Sequence, residues 1–358
     1  MQKTNIPIGP LHPALFEPIK IELAMDNEKI MNVSYHTGYQ YRQVEKKLET
    51  IDFDTNVFYI ERLCGTCSFF NTLAYCRGIE NLMNVEVPDR AKYIRVIISE
   101  VCRIQKHMFT LALIANSIGF ESLYMQIIKK REKILDILEE ISGNRMIVSV
   151  NINGGIRINP DKIELLQLCV VIDEVYEDVR EIEKVFLSDR IIRERLFGVG
   201  VLSADTAREI GVTGPSARAS GILYDLRETG YSAYDKAEFK PFVYDDGDAL
   251  ARTFVRINEI YESAEIIRQM VEKIPEGETL VHIDSLPEGE TLSRIEQPEG
   301  ETAFFIKGDG SRTLNRVNLI SPSVTNLTAF ISAAKGLKLE DIPPVLASFG
   351  ICISCIDK

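Results

Sequence analysis

The sequence lacks a surplus of basic residues: 41 Lys and Arg stand against 53 Asp and Glu, and the formal net charge is −12. This balance argues against nucleic acid as a partner, because no basic stripe is available to neutralise phosphates. The N-terminus also lacks the basic, apolar and small-residue order of a secretory signal. No apolar run spans a bilayer, since the longest, at 109–118, is interrupted by Thr110 and Asn116. We therefore expect a soluble chain that can still dock on a membrane assembly.

The 358 residues include 45% hydrophobic and 26% charged residues, as in soluble globular proteins with an ample core. Seven cysteines, an odd number, in a chain without a secretion signal favour a reducing compartment and metal ligation over disulfides. Cys76, Cys102 and Cys169 fall in apolar helical stretches, so we expect them to be inert buried thiols.

The other four cysteines form two CxxC pairs near opposite ends of the chain, Cys64 with Cys67 and Cys352 with Cys355. Together they offer four soft ligands for a transition metal, provided that the fold brings the two ends together. Structural zinc and a redox metal are both compatible with four thiolates. The separation of the pairs by nearly the whole chain differs from zinc ribbons, whose two pairs lie close in sequence.

Hydrophobic periodicity predicts a mainly helical chain with small β regions. Strands are expected at 19–23 and 30–35 around an Asp26-Asn27 turn, and a strand or turn element at 146–158. Long helices are expected at 91–117, 122–141, 161–186 and 246–273. Two short helices, 326–334 and 339–347, should deliver the second cysteine pair to the core.

The pentapeptide Pro-Glu-Gly-Glu-Thr occurs three times, at 275–279, 287–291 and 298–302. Proline followed closely by glycine is typical of turns. We therefore expect three turns that separate short strands, such as 280–283 and 303–306.

The residues around the cysteines resemble a known family. The segment 62–67, Arg-Leu-Cys-Gly-Thr-Cys, resembles the RxCGxC motif of nickel–iron hydrogenase large subunits, and the second pair resembles their C-terminal CxxC. Residues 9–18 resemble the N-terminal segment of energy-converting, membrane-associated hydrogenases. Further resemblance, at 89–95, 211–215 and 218–221, extends to the 49-kDa-type subunit of respiratory complex I.

The resemblance covers essentially the full chain and implies an α+β, mainly helical, hydrogenase large-subunit fold with long central helices. A β-rich segment (1–52), a helical core with the first CxxC (53–273) and an α/β segment with the second (274–358) would form one domain.

The complex I subunit has lost the four cysteines, whereas this chain keeps them. By resemblance, Cys64 and Cys352 are terminal nickel ligands, and Cys67 and Cys355 bridge nickel to an iron that carries CO and cyanide. The implied activity is heterolytic H₂ cleavage or proton reduction. Cys352 would then be the proton-accepting base and Glu17 the next proton carrier.

Arg62 has two interpretations, a charge-assisted hydrogen bond beside the metals or a structural ion pair. The implied partners are a small subunit with a [4Fe–4S] cluster, ferredoxin, and membrane ion-pumping subunits at the cytoplasmic face of the membrane. Two alternatives are a complex I-like electron-transfer subunit acting on a quinone or sulfur species, and a structural Zn(Cys)₄ scaffold.

Several positions depart from the hydrogenase pattern and indicate a divergent branch. Asn71 replaces a His, Tyr41 replaces another, and Lys358 replaces a terminal His or Arg. Gly350 stands where relatives have the Asp of Asp-Pro-Cys, and Glu299 where they have the Arg of Pro-Arg-Gly. A carboxylate beside anionic iron ligands is unfavourable unless it is protonated or turned away, so restoring Arg at 299 is expected to raise H₂ activity.

The four histidines carry less information. His107 lies within a predicted helix and is expected to be a hydrogen-bonded packing residue. His12 lies in the loop that resembles the quinone-side loop of the complex I relative, and His36 and His282 have no partner pattern.

Overall fold

Four long helices form the centre of the molecule, which a computed structural model describes over residues 3–358. The strands are β1 (Lys3–Ile8), β2 (Lys20–Asp26), β3 (Lys29–His36), β4 (Asn151–Ile152), β5 (Gly155–Ile156), β6 (Glu288–Gln297), β7 (Gly300–Asp309) and β8 (Leu314–Ile320). The helices are α1 (Val44–Leu48), α2 (Asn56–Ile60), α3 (Ser68–Leu82), α4 (Asp89–Ser117), α5 (Glu121–Ser142), α6 (Lys162–Ser188), α7 (Arg190–Leu196), α8 (Ala204–Ile210), α9 (Gly214–Arg218), α10 (Ala249–Lys273), α11 (Pro322–Ala333) and α12 (Ile342–Phe349).

Helix α4 is the central element, packed against α5, α10 and α12. It begins after Pro88 and ends before Gly119, whose φ of +81° suits glycine and turns the chain back into α5. Helix α6 lies against α5 and α10, and its start is fixed by a capping box between Asp161 and Glu164. The four long helices agree with the predicted ones within three residues at each end, and the mainly helical α+β fold is confirmed.

Three small antiparallel sheets surround these helices. The N-terminal sheet has the order β1-β2-β3, and the alternating burial of β2 matches the predicted hairpin. The C-terminal sheet has the order β6-β7-β8 and packs on α3. The third sheet is the two-residue hairpin β4–β5, within the stretch predicted as a strand or turn.

Two predictions about the C-terminal part were wrong. The second pentapeptide, 287–291, lies almost entirely in β6, because pairing with β7 overrides its turn composition. The segment 280–283 forms only one isolated bridge, from Leu280 to Gly155. The short helix expected at 339–347 is confirmed: a 3₁₀ turn, Leu339–Asp341, leads directly into α12, which has proline in its first turn.

The two chain ends meet in a second hydrophobic cluster. It joins buried residues of the N-terminal sheet, such as Ile21 and Leu23, to Phe330 and Phe349 from the C-terminal helices. The backbone of Ile30 also exchanges hydrogen bonds of 2.9 and 2.7 Å with residues 336–337. This packing positions the C-terminal cysteines. Among the described helices, none combines the length and apolar character needed to cross a membrane.

Candidate metal centre

The four cysteines of the two CxxC pairs come together in the folded chain. The sulfurs of Cys64, Cys67, Cys352 and Cys355 all lie within 4.8 Å of one another, and all four residues are buried. The Sγ atoms of Cys64 and Cys352 are 3.2 Å apart. The two ends of the chain therefore meet, which is the condition that a four-thiolate site requires.

Local structure presents each pair from a turn. Cys67 is the residue immediately before α3, so the first pair lies in the turn between α2 and α3. The second pair brackets a single 3₁₀ turn, Ile353–Cys355, just after α12. The backbone N–H of Cys352 donates to Ser323 Oγ at 3.1 Å, which ties this turn to the start of α11.

One loop, residues 38–42, holds both turns, and sequence reasoning missed this role. Arg42 donates to the carbonyl oxygens of Arg62 and Leu63, at 3.2 and 2.7 Å, beside the first pair. The backbone N–H groups of Gly38 and Gln40 donate to the carboxylate of Asp357 beside the second pair, at 2.7 and 3.1 Å. A loop carries no periodic sequence pattern, so the sequence gives no signal for this role. The role becomes visible only in the folded chain, where Arg42 donates to backbone oxygens beside the first cysteine pair.

The thiols titrate as a group. The pKa of Cys64 is held well below its ordinary value, because Cys352, Cys355 and Cys67 hydrogen-bond to its sulfur. The pKa of Cys352 is raised in turn, because it shares protons with Cys355 and Cys64 and is buried. Four thiolates this close together repel one another, so a bound cation is needed to keep all four ionised. Four buried soft donors fit a transition metal such as nickel, iron or zinc.

The remaining cysteines lie outside this cluster. Cys76 and Cys102 are buried, and burial raises the pKa of Cys102 to about 12, so the expectation of inert thiols is confirmed for both. Cys169 is only half-buried, because it lies towards the outer side of α6. The expectation of a buried thiol was wrong there.

Glu17 lies directly against the second cysteine pair. Its carboxylate accepts hydrogen bonds from the backbone N–H groups of Ile353 and Ser354, the latter at 3.1 Å, and from the Ser354 hydroxyl. The Glu17 carboxylate is therefore fixed to the turn that separates Cys352 from Cys355.

Arg62 points away from the sulfurs. Its guanidinium pairs with the Glu61 carboxylate, donates to the Phe58 carbonyl at 2.8 Å, and is 61% exposed. Within residues 3–358 it forms no hydrogen bond with any of the four cysteines. This is the arrangement of the ion-pair alternative.

Glu299 is neither turned away from the core nor protonated. It is 1% exposed, and although burial opposes its charge, Arg256 and Lys106 hold its pKa below the ordinary value. Oε1 lies 3.5 Å from Lys106 Nζ and 3.2 Å from Thr110 Oγ1, and Oε2 accepts from Arg256. Two buried cations therefore compensate this carboxylate, a third arrangement beside the two named in the sequence analysis.

Three other residues, Asn71, Tyr41 and Lys358, also depart from the hydrogenase pattern. The Asn71 amide is buried and finds no hydrogen-bond partner in the described part of the chain. Tyr41 is 60% exposed. Lys358 pairs with Glu45 at 3.0 Å and bonds to the Leu319 carbonyl, so its ammonium is engaged away from the sulfurs.

His107 is a packing residue, as expected: it is fully buried, and its Nε2 lies 2.8 Å from Glu259. His36 and His282 are exposed and lie near carboxylates. The Nδ1 of His12 accepts from the backbone N–H of Ala14, and His12 lines a cavity.

This cavity, of about 530 Å³, lies between the β1–β2 loop, α4 and the segment that precedes Cys352. Its polar lining includes His12, Glu17, Lys106 and Thr110, and Leu15 and Phe109 are among its apolar residues. Because Glu17 and Ile353 belong to its wall, the cavity reaches the edge of the cysteine cluster.

Behind the cluster, a group of buried charges extends through the helical core. Its cations are Arg103, Lys106, Arg218, Arg227 and Arg256, and its carboxylates are Glu100, Asp225, Glu259, Glu296 and Glu299. Arg218 contacts three of these carboxylates, those of Glu259, Glu296 and Asp225, at 2.8, 2.9 and 3.4 Å. The pairing matters because an unpaired charge in such a core is very costly.

A helical core that closes on four thiols from opposite chain ends is the hydrogenase large-subunit type of oxidoreductase architecture. Comparison with family models agrees. Residues 117–285 and 281–358 match the respiratory-chain NADH dehydrogenase 49-kDa subunit, and residues 42–112 match the nickel-dependent hydrogenases.

Full-length relatives of both kinds are found. The chain is 33% identical to the carbon monoxide-induced hydrogenase of Rhodospirillum rubrum, over 100% of each chain. It is also 33% identical to a subunit of the NADH-quinone oxidoreductase of Clostridium beijerinckii, over 100% of this chain and 98% of the relative. A chain from the membrane-bound sulfane sulfur reductase, an archaeal respiratory membrane complex, superposes with a TM-score of 0.95 at 27% identity, covering 99% and 98% of the two chains. The protein belongs to the family of complex I 49-kDa subunits and nickel–iron hydrogenase large subunits.

Proposed function

We propose that this chain is the catalytic large subunit of an energy-converting nickel–iron hydrogenase. The observation that carries the proposal is the buried cluster of four sulfurs within 4.8 Å of one another. Cys64 and Cys352 would hold nickel, and Cys67 and Cys355 would bridge it to an iron with CO and cyanide ligands. Such a centre, when bound, supplies heterolytic cleavage of H₂ or its reverse.

The chain's own residues then move the proton. Cys352 is the residue we assign as base, and Glu17 receives the proton because its carboxylate lies against Ile353 and Ser354 in the same turn. The cavity lined by Glu17 gives the proton a route towards solvent. Arg62 acts only through its ion pair with Glu61, which fixes the approach to the first cysteine pair.

The proposal includes partners. The relatives named above include a chain of a respiratory membrane complex. We infer that this chain, too, works beside a small subunit that carries a [4Fe–4S] cluster, on membrane ion-pumping subunits at the cytoplasmic face, with ferredoxin as the electron partner.

A second candidate is an electron-transfer subunit that acts on a quinone or a sulfur species. Two observations favour it: the cavity beside the cluster is large enough for a small organic ligand, and the sulfane sulfur reductase chain has the same fold. In that case the four cysteines hold a different metal or none.

Metal analysis with infrared spectroscopy distinguishes these functions. The complex is purified anaerobically with its native partners and examined for nickel, iron and the stretching bands of CO and cyanide. Nickel and iron with those bands, together with H/D exchange activity, support the hydrogenase. Absence of the bands and of exchange rejects it and favours the second candidate, and zinc alone indicates a structural scaffold.

A further inference from the structure

The turn between β6 and β7 places the Glu299 carboxylate against the backbone that leads to Cys352. A Cβ added at Gly350 would lie 2.0 to 2.4 Å from the carboxylate atoms of Glu299, closer than any real contact. Gly350 also has a φ of +64°. The Glu299 carboxylate can therefore occupy this position only because residue 350 has no side chain.

The same carboxylate is shared by two cations. Lys106 on α4 and Arg256 on α10 both contact it, so the three side chains together carry one net positive charge. The Lys106 side chain is only 7% exposed. Burying an ammonium is costly unless negative charge faces it. Because Glu299 is shared with Arg256, its single negative charge does not fully compensate the charge of Lys106.

Lys106 also faces the cysteine cluster. It lines the same cavity as Gly350 and Ile353, which lie on either side of Cys352 in the chain. Burial opposes the charge of Lys106, whereas Glu299 and, to a smaller extent, the sulfurs of Cys67 and Cys352 raise its pKa. Its ammonium also lies 5.8 Å from the ring centre of Phe109. Among the described residues, Glu299 is the one carboxylate that forms an ion pair with Lys106.

We propose that Lys106 supplies the fixed positive charge that stabilises the anionic, metal-holding form of the four-cysteine cluster, and that Glu299 keeps Lys106 in position. The inference rests on the proposed function to the extent that the cluster holds a metal. Gly350 is required because it leaves room for the Glu299 carboxylate.

The direction in which Lys106 changes the metal affinity of the cluster follows from counting charges. Four protonated thiols are neutral, whereas four thiolates around one divalent cation carry a net charge of about −2. A nearby positive charge stabilises the second state relative to the first. At the effective dielectric constant of a protein, one such charge several ångströms away changes the affinity roughly tenfold or more.

Cobalt(II) provides a probe that needs neither nickel nor diatomic ligands. The full chain is stripped of metal, titrated with Co²⁺ against a competing chelator, and followed by its thiolate-to-cobalt charge-transfer band. We expect Lys106→Met to bind Co²⁺ roughly tenfold more weakly or worse, and Lys106→Arg to bind nearly as the wild type. Lys133→Met is the matched control, since Lys133 pairs with Glu174 and Asp178 on the surface.

Glu299→Gln separates an electrostatic role from a structural one. It removes a negative charge and keeps the shape, so Co²⁺ should bind as tightly as in the wild type or more tightly. Weaker binding in both Lys106→Met and Glu299→Gln, or equal binding in folded Lys106→Met and wild type, overturns the proposal. If Lys106→Met fails to fold, the sign of the Glu299→Gln effect decides alone. The infrared bands test the nickel–iron assignment separately, so either idea can fail without the other.

Discussion

Glu299 Oε1 lies 3.5 Å from the Nζ of Lys106, and the other carboxylate oxygen meets the guanidinium of Arg256. The hydrogenase pattern that the sequence resembles has the charges the other way round, with an arginine at the position of Glu299 and an aspartate at the position of Gly350. Here the anion has moved to 299 and the cations come from α4 and α10. The two departures from the hydrogenase pattern, Glu299 and Gly350, therefore belong together: the negative charge is at residue 299 instead of 350, and Lys106 and Arg256 supply the positive charge.

Removing a sulfur should abolish metal retention. Cys64→Ser or Cys352→Ser replaces a soft thiolate by a hard, neutral hydroxyl, and we expect each variant to lose most of its bound metal. The metal-to-protein ratio of the purified complex, measured by plasma mass spectrometry, checks this. Cys169→Ser is the control, because Cys169 lies on α6 outside the cluster. Full metal content in Cys352→Ser would contradict a four-sulfur site.

Glu17→Gln tests proton transfer at the edge of the cluster. The amide keeps the size of the carboxylate and can still accept from the backbone N–H of Ser354, but it cannot carry a proton. We expect the metals to remain and H/D exchange to fall by roughly 10²-fold or more. Loss of metal in this variant would instead show that Glu17 only supports the turn of residues 353–355.

The cysteine pairs and the long helices could be predicted from sequence, because soft-ligand spacing and the 3.6-residue period are local signals. The charges around Lys106 could not. Charged residues on a helix normally lie on a solvated face, but α4 is packed on several sides by α5, α10 and α12. Glu100, Arg103 and Lys106 are therefore buried, and Lys106 meets its partner Glu299 from far away in the sequence.

The three copies of Pro-Glu-Gly-Glu-Thr show the limit of local signals. One copy is a loop at 275–279, one enters β6 at 287–291, and one forms the turn into β7 at 298–302. The same five residues adopt different conformations because neighbouring strands and helices, rather than the pentapeptide, supply the hydrogen-bond partners. The glutamate of the third copy is Glu299, and no property of the repeat distinguishes it.

Arg218 should be essential for stability. It is fully buried and contacts three carboxylates, so Arg218→Leu leaves uncompensated negative charge in the core. We expect a loss of about 3–5 kcal/mol in the free energy of unfolding, measured with guanidinium chloride. Arg190→Leu removes an exposed pair with Glu194, which solvent screens, and should leave stability nearly unchanged. Similar losses in both variants would contradict the importance of burial.

Glu296 should make stability depend on pH near neutrality. Burial and the charge of Asp225 raise its pKa to about 7, above the ordinary value of 4.5. A carboxyl group whose pKa is raised on folding stabilises the protein below pH 4.5 and loses that contribution as the pH rises through about 7. The wild type should therefore lose on the order of 1–3 kcal/mol more than Glu296→Gln between pH 5 and pH 8. Parallel pH profiles of the two proteins would contradict this.

Glu299→Arg restores the residue of the hydrogenase pattern, and the buried ion pairs of Glu299 lead us to expect no gain in H₂ activity. The new guanidinium would lie between Lys106 and Arg256, so three buried cations would replace two cations that share one anion. We expect a loss of about 3–5 kcal/mol in stability and no gain in H/D exchange per metal. Equal stability of the single variant and the wild type would show that Glu299 is not the anion that holds these two cations.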